Sequence, residues 1–96
     1  MYEIREAPEF IKWFTKVKDP VFRAQFVNRK QRIAQGNFGF NKRLSEDIFE
    51  LKFKVSKGYR VYYILDNGVL LLFGGVKDTQ SKDIKFVKKL LQKYKE

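Results

Sequence analysis

Asp66-Asn67-Gly68 separates two apolar runs, Tyr59–Leu65 and Val69–Phe73, and leaves them one natural arrangement, an antiparallel hairpin. Asn and Gly accept the positive φ that so tight a turn needs. Upstream, Phe49, Leu51, Phe53 and Val55 alternate with Glu50, Lys52 and Lys54, the period of a half-buried strand. Ser56-Lys57-Gly58 turns that strand into the next. Val69–Phe73 shows no alternation, as expected of a strand covered on both faces. Three consecutive antiparallel strands are therefore predicted between Phe49 and Phe73, and the rest of the chain has to pack on them.

The turns predict a register. If Val55 faces Tyr59, then Phe53 faces Val61, Leu51 faces Tyr63, and that face is apolar throughout. On the other face Lys54 lies opposite Arg60, and Lys52 opposite Tyr62. Cations directly across a ladder repel, so a fold keeps such a pair where a polyanion fills the gap or solvent screens it. The second hairpin puts Gly75 beside Arg60 and brings Lys77 to the same end. The expected site gathers Lys52, Lys54, Arg60 and Lys77 with Tyr62 and Phe73 beneath, a place for a phosphate backbone. Lys42 and Arg43 are the next candidates for phosphate contact, and Lys52 and Tyr62 complete the expected RNA contacts. Glu50 shares the strand face, where it orients a lysine or makes a surface salt bridge.

The flanks read more simply. Tyr2–Arg5 is a short strand, and a helix from about Pro8 to Lys18 carries Phe10, Ile11, Trp13, Phe14 and Val17 on one face. Trp13 belongs to that stripe, which makes it a core residue before a base-stacking one. Asp19 as N-cap and Pro20 at the first position open a second helix running to about Gln35. Phe22, Phe26 and Ile33 face inward, assisted by Ala24 and Val27, with Arg23, Asn28, Arg29, Lys30 and Arg32 outside. Gly36–Asn41 is a loop with Phe38 and Phe40 tucked beneath it. Gly74-Gly75 permits a bend or a close approach, and is not a phosphate-binding loop, because GxxxxGK[ST] is missing. A last helix, about Lys82 to Tyr94, follows a cap at Thr79 or Ser81. The expected class is α+β, one domain over 1–96, ordered β-α-α-β-β-β-α. Its mainly antiparallel sheet is packed by an N-terminal helical hairpin and a C-terminal helix.

Ninety-six residues suffice for one core and not for two. The absence of cysteine and histidine removes disulfides, the usual zinc ligands and a histidine base. With no signal peptide and no apolar run of bilayer length, the expected location is the cytoplasm, with no membrane partner. A net charge of +10 points to nucleic acid or an acidic protein partner, against an idle lysine-rich surface.

The element order, with GYRVYY at its centre and GGVKDTQSKDI after the last strand, resembles the RelE/ParE superfamily of bacterial toxins, and most of all its HigB-like "addiction module killer protein" branch. The resemblance spans YEIREAPEFIKWF, RIAQGNFG, ELKFKVSKGYRVYY and LLLFGGVKDTQSKDI, nearly the whole chain. It implies a toxin neutralised by a cognate antitoxin encoded beside it. RelE-like members are endoribonucleases that cut messenger RNA on the ribosome, using lysines and arginines of the sheet without metal or small-molecule cofactor. Arg60 matches the arginine of the GYR strand that contacts the scissile phosphate. Lys52 and Lys54 match the basic residues of the preceding strand, with turn lengths that differ in the family, and Lys77 falls at the post-strand basic position. Many relatives carry a catalytic Tyr or His in the C-terminal segment, whereas here Asp78, Thr79, Gln80 and Ser81 follow Lys77.

RNA cleavage by 2′-OH attack needs a base, cations on the developing phosphorane and a proton for the leaving oxygen. With histidine absent, the expected assignment is Lys54 as base, Arg60 on the phosphorane and Lys77 as donor. Two other readings stay open. One is a ParE-like toxin that inhibits DNA gyrase through protein contacts, and the other is an RNA-binding domain with no catalysis.

Overall fold

The computed structural model describes residues 1–95. Strands β1 (Ile4–Glu6), β2 (Asn41–Arg43), β3 (Phe49–Phe53), β4 (Tyr59–Leu65) and β5 (Val69–Val76) form one sheet in the order β1-β5-β4-β3-β2. Helices α1 (Pro8–Lys16) and α2 (Pro20–Ala34) intervene between β1 and β2. A 3-10 turn at Lys77–Thr79 leads into α3 (Gln80–Lys95). The sheet is mixed: β1 runs parallel to β5, and the other pairs are antiparallel. The predicted α+β architecture is present, with one strand more than the chain's periodicity announces. That strand, Asn41-Lys42-Arg43, is fully exposed and polar, so no alternation marks it.

Each face of the sheet has its own core. Leu51, Phe53, Tyr59, Val61, Tyr63, Val69 and Leu71 pack against Phe10, Phe22, Phe26 and Ile33 of the α1–α2 hairpin. Aromatic rings dominate there: Phe22 stacks on Tyr59 at 4.1 Å, and Phe14 lies 4.8 Å from Phe26. Trp13 packs against this core, as its place in the helical stripe predicts. Three inward assignments are corrected, since Ile11 and Val27 are about half exposed, at 49% and 51%, and Ala24 is exposed too. Tyr62, Ile64, Leu70 and Leu72 pack on the opposite face with Val87 of α3, which explains why β5 is apolar on both sides.

Asp19 caps α2 as expected, accepting from the Val21 and Phe22 N–H groups at 3.0 and 3.1 Å. The Ser56 side chain and these backbone bonds hold the Asp19 carboxyl below its ordinary range. The β3–β4 register differs from the one the turns predict. Phe53 pairs with Tyr59, Leu51 with Val61 and Lys52 with Arg60, two residues away from the predicted pairing. The loop spans 54–58, with Ser56 at φ 48° and Gly58 at φ 72°, so it is longer than the three-residue turn expected. A slip of two preserves which side chains share a face. It changes which lysine meets Arg60.

Gly74 and Gly75 lie within β5, and each admits a close neighbour. A Cβ on Gly74 would lie 2.2 Å from the Trp13 ring on one face, and a Cβ on Gly75 1.9 Å from Asp83 Oδ2 on the other. Asp83 is nearly buried and accepts a 2.5 Å hydrogen bond from Thr79 Oγ1, so the first turn of α3 has no room to yield. Gly75→Ala is expected to destabilise the domain by about 1–3 kcal/mol through overpacking. Thermal unfolding checks this, and an unchanged Tm would mean that α3 can step back from the sheet.

Candidate nucleic-acid interface

The register brings the basic residues to one end of the sheet. On the α3 face, the Phe40 carbonyl accepts from Lys52 N–H at 3.0 Å, Lys52 pairs with Arg60, and Arg60 pairs with Gly75. Phe40, Lys52, Arg60 and Gly75 thus make a row across four neighbouring segments. One step along, Lys42 pairs with Glu50, and Glu50 with Tyr62. Arg60 and Lys77 flank Gly58: a Cβ there would meet Lys77 Cβ at 3.3 Å and Arg60 Nη1 at 3.5 Å. Lys52, Arg60 and Lys77 are therefore together, as the hairpin pattern predicts. Lys54 stands at the mouth of the loop beside Phe40, not opposite Arg60.

Arg60 is held from beneath. Its side chain is only 12% exposed, and Nε faces Oε1 of the fully buried Glu50 at 3.8 Å. That is an ion pair beyond hydrogen-bond length. Nη1 donates to the Gly58 carbonyl at 3.1 Å and the Tyr59 carbonyl at 3.4 Å. Nη2 has no hydrogen-bond partner among the described residues. Glu50 Oε2 accepts from Gln80 Nε2 of α3 at 2.5 Å. Glu50 is thus neither a surface salt bridge nor a lysine's partner; it links Arg60 to the start of α3. Its burial follows from α3 covering this part of the sheet.

Tyr62, expected as an RNA contact, is fully buried and its hydroxyl has no hydrogen-bond partner among the described residues. Burial, with the charges of Glu50 and Asp83 behind it, pushes the phenol far above its ordinary range. A ring under α3 cannot meet a nucleic acid at the surface, so Tyr62 is a core residue. Arg43 is exposed but engaged, donating to the Ser45 and Glu46 carbonyls at 3.0 and 2.7 Å. Lys42 remains exposed on β2. Tyr94 donates to Glu9 at 2.9 Å and lines a cavity with Leu65 and Asp66, at the sheet end away from Lys77.

Two residues were not foreseen at this surface. Phe40, expected beneath its loop, is 47% exposed; only Phe38 tucks in, stacked on Tyr63 at 5.6 Å. The Lys52 and Lys54 ammoniums lie 5.2 and 4.8 Å from the Phe40 ring centre. Arg29, expected on the solvated face of α2, instead sits over the Phe53 ring at 4.4 Å and donates to the Lys52 carbonyl at 2.9 Å. Burial, with Arg32 nearby, lowers its guanidinium from the ordinary value. The signal for Arg29 was present, since it continues the inward spacing of Phe22, Phe26 and Ile33 at helical intervals.

The arrangement can bind anions and stabilise developing negative charge, and it offers amines as proton carriers. Lys52, Lys54 and Lys77 have no acidic partner among the described residues. No helix among those residues is long and apolar enough to cross a membrane. No protein-family model matches the chain, and no solved structure matches it. It is 44% identical over 92 residues to an uncharacterized protein of Haemophilus influenzae, a match that covers 94% of this chain and 93% of that one.

Proposed function

We propose that this chain, which belongs to one family with the Haemophilus influenzae protein, is a RelE/ParE-type toxin of a toxin–antitoxin pair that cleaves messenger RNA on the ribosome. The observation that carries the reading is the pairing of Lys52 directly opposite Arg60, with Lys77 beside Arg60 across Gly58. Like charges in these positions cost stability that a bound polyanion would restore, and Glu50 offsets only Arg60.

In this reading Arg60 Nη2 meets the scissile phosphate and stabilises the phosphorane. Glu50 and the Gly58 carbonyl fix the guanidinium plane in advance. Lys52 stands where the turn-based register had put Lys54, so the base that takes the 2′-OH proton is Lys52. Lys54 then holds a neighbouring phosphate. Lys77 returns a proton to the leaving 5′ oxygen. The step balances: the 2′ oxygen bonds to phosphorus, the P–O5′ bond breaks, and one proton moves at each end.

Controlled expression in bacteria tests the reading. Growth arrest with truncated transcripts is the expected result. Arrest with intact transcripts and trapped gyrase–DNA complexes would transfer the protein to the ParE-like class. The buried carboxylate of Glu50, which offsets the charge of Arg60, favours one second reading, RNA binding without cleavage, which predicts arrest with neither lesion. The partner proposed is an antitoxin whose acidic or extended segment covers the basic row. Its affinity for this chain is expected to fall as salt rises; isothermal titration showing an affinity indifferent to salt would count against that electrostatic picture.

A further inference from the structure

We infer that Phe40 is a stacking platform for one base of a single-stranded nucleic acid, with the flanking phosphate taken by Lys54. The chain itself is assigned as RNA on the strength of the function proposed above; the platform rests on its own geometry. Phe40 belongs to neither hydrophobic core, although its ring is large and its backbone is fixed. Lys52 N–H donates to its carbonyl at 3.0 Å, and Arg29 Nη1 reaches the same oxygen at 3.4 Å. The ring is therefore held out on a rigid support. A lone exposed phenylalanine would need no explanation. Here two ammoniums approach one ring, and a cavity of about 500 Å³ opens between Gln25, Arg29, Phe40, Lys52 and Lys54.

Those features match the two requirements of single-strand binding, a cationic track for the backbone and an aromatic face for a base. The cation–π contacts hold Lys52 and Lys54 at the ring in the free protein. When a base takes the ring face, the Lys54 ammonium need move only to the adjoining phosphate, and Lys52 stays beside the ribose. Duplex RNA cannot use the platform, since its bases stay stacked on one another.

Equilibrium binding of a fluorescein-labelled oligouridylate tests this with wild type, Phe40→Leu, Phe40→Trp and Lys54→Gln, each first shown to unfold at the wild-type temperature. Phe40→Leu is expected to weaken binding about 5- to 150-fold at every salt concentration, leaving the salt slope unchanged. Phe40→Trp should bind at least as tightly as wild type, with its indole emission quenched. Lys54→Gln should flatten the salt slope by about 0.7. Binding of an RNA duplex should be indifferent to Phe40→Leu. Wild-type affinity in Phe40→Leu, or an equal loss on duplex and single strand, would overturn the platform. Tighter, Phe40-dependent binding of the deoxy oligonucleotide would overturn the assignment to RNA. A protein that cuts messenger but binds without regard to Phe40 refutes this inference alone. One that cuts nothing yet needs Phe40 to bind refutes only the nuclease.

Discussion

Arg60→Ala is expected to lower RNA cleavage by about 100- to 1,000-fold, the usual cost of removing one preorganised donor from a developing oxyanion. In the row with Lys52 and Gly75, the Arg60 guanidinium is held by a hydrogen bond from Nη1 to the Gly58 carbonyl, with the buried Glu50 carboxylate 3.8 Å from Nε. Such fixing is what makes a donor effective, because no reorganisation is needed when charge develops. The substitution also leaves Glu50 buried without a cation, so its effect on folding has to be separated from its effect on chemistry. Thermal unfolding of the variant sets the temperature at which both proteins are assayed. Arg60→Lys keeps the charge and loses the fork, and should recover only part of the rate. A folded Arg60→Ala protein that cuts at the wild-type rate would remove Arg60 from the mechanism.

Glu50→Ala is the substitution expected to cost the most stability, about 3–5 kcal/mol, as for other buried pairs broken from one side. Three losses coincide. Arg60, 12% exposed, keeps its charge without a partner; Gln80 loses its acceptor; and a fully buried carboxylate leaves a void. In a domain of this size the melting temperature should fall by more than about 12 °C. Glu50→Gln should lose less, because its amide oxygen can still accept from Gln80. The double variant Glu50→Leu/Arg60→Leu should recover much of the loss, since apolar side chains can replace a buried pair at little cost. Denaturant melts of the single and double variants give the coupling directly. A Glu50→Ala protein melting with wild type would show that α3 and Arg60 are held by something else. The same pair thus connects the two halves of the account, for the group that orients the proposed phosphate ligand also docks the last helix.

How far these features were legible in the chain depends on where their causes lie. The helices announce themselves through Phe10–Phe14 and Phe22–Phe26 spacing and through the Asp19-Pro20 cap, all local signals that packing reinforces. The three long strands follow from alternation and from Asn67-Gly68, where φ is positive at both residues as the turn requires. The β3–β4 register was not legible, because the connection closes through Gly58 N–H on the Val55 carbonyl with Ser56 and Gly58 at positive φ, and so takes five residues where three were expected. Strand β2 was hidden by its exposure, since an edge strand with no buried side carries no pattern.

At the site, clustering of Lys52, Arg60 and Lys77 was readable from turn counting alone. The burial of Glu50 and Tyr62 was not: alternation assigned them to the polar face, and although β5 reads as covered on both sides, the docking of α3 through Gln80 shows that the cover extends over Glu50. Arg29 illustrates the opposite error, in which the spacing was right and the residue's charge argued wrongly for solvent. Phe40 and Phe38 occupy one short loop and look alike in sequence, yet only Phe38 finds an aromatic partner inside.

The most direct test of the central claim is a translating extract programmed with one defined messenger, in which new 5′ ends are mapped after adding the wild-type protein. Cuts that appear only while ribosomes are translating, and that disappear with folded Arg60→Ala, are the predicted result. A messenger that stays intact in an extract whose translation the protein has stopped would contradict it.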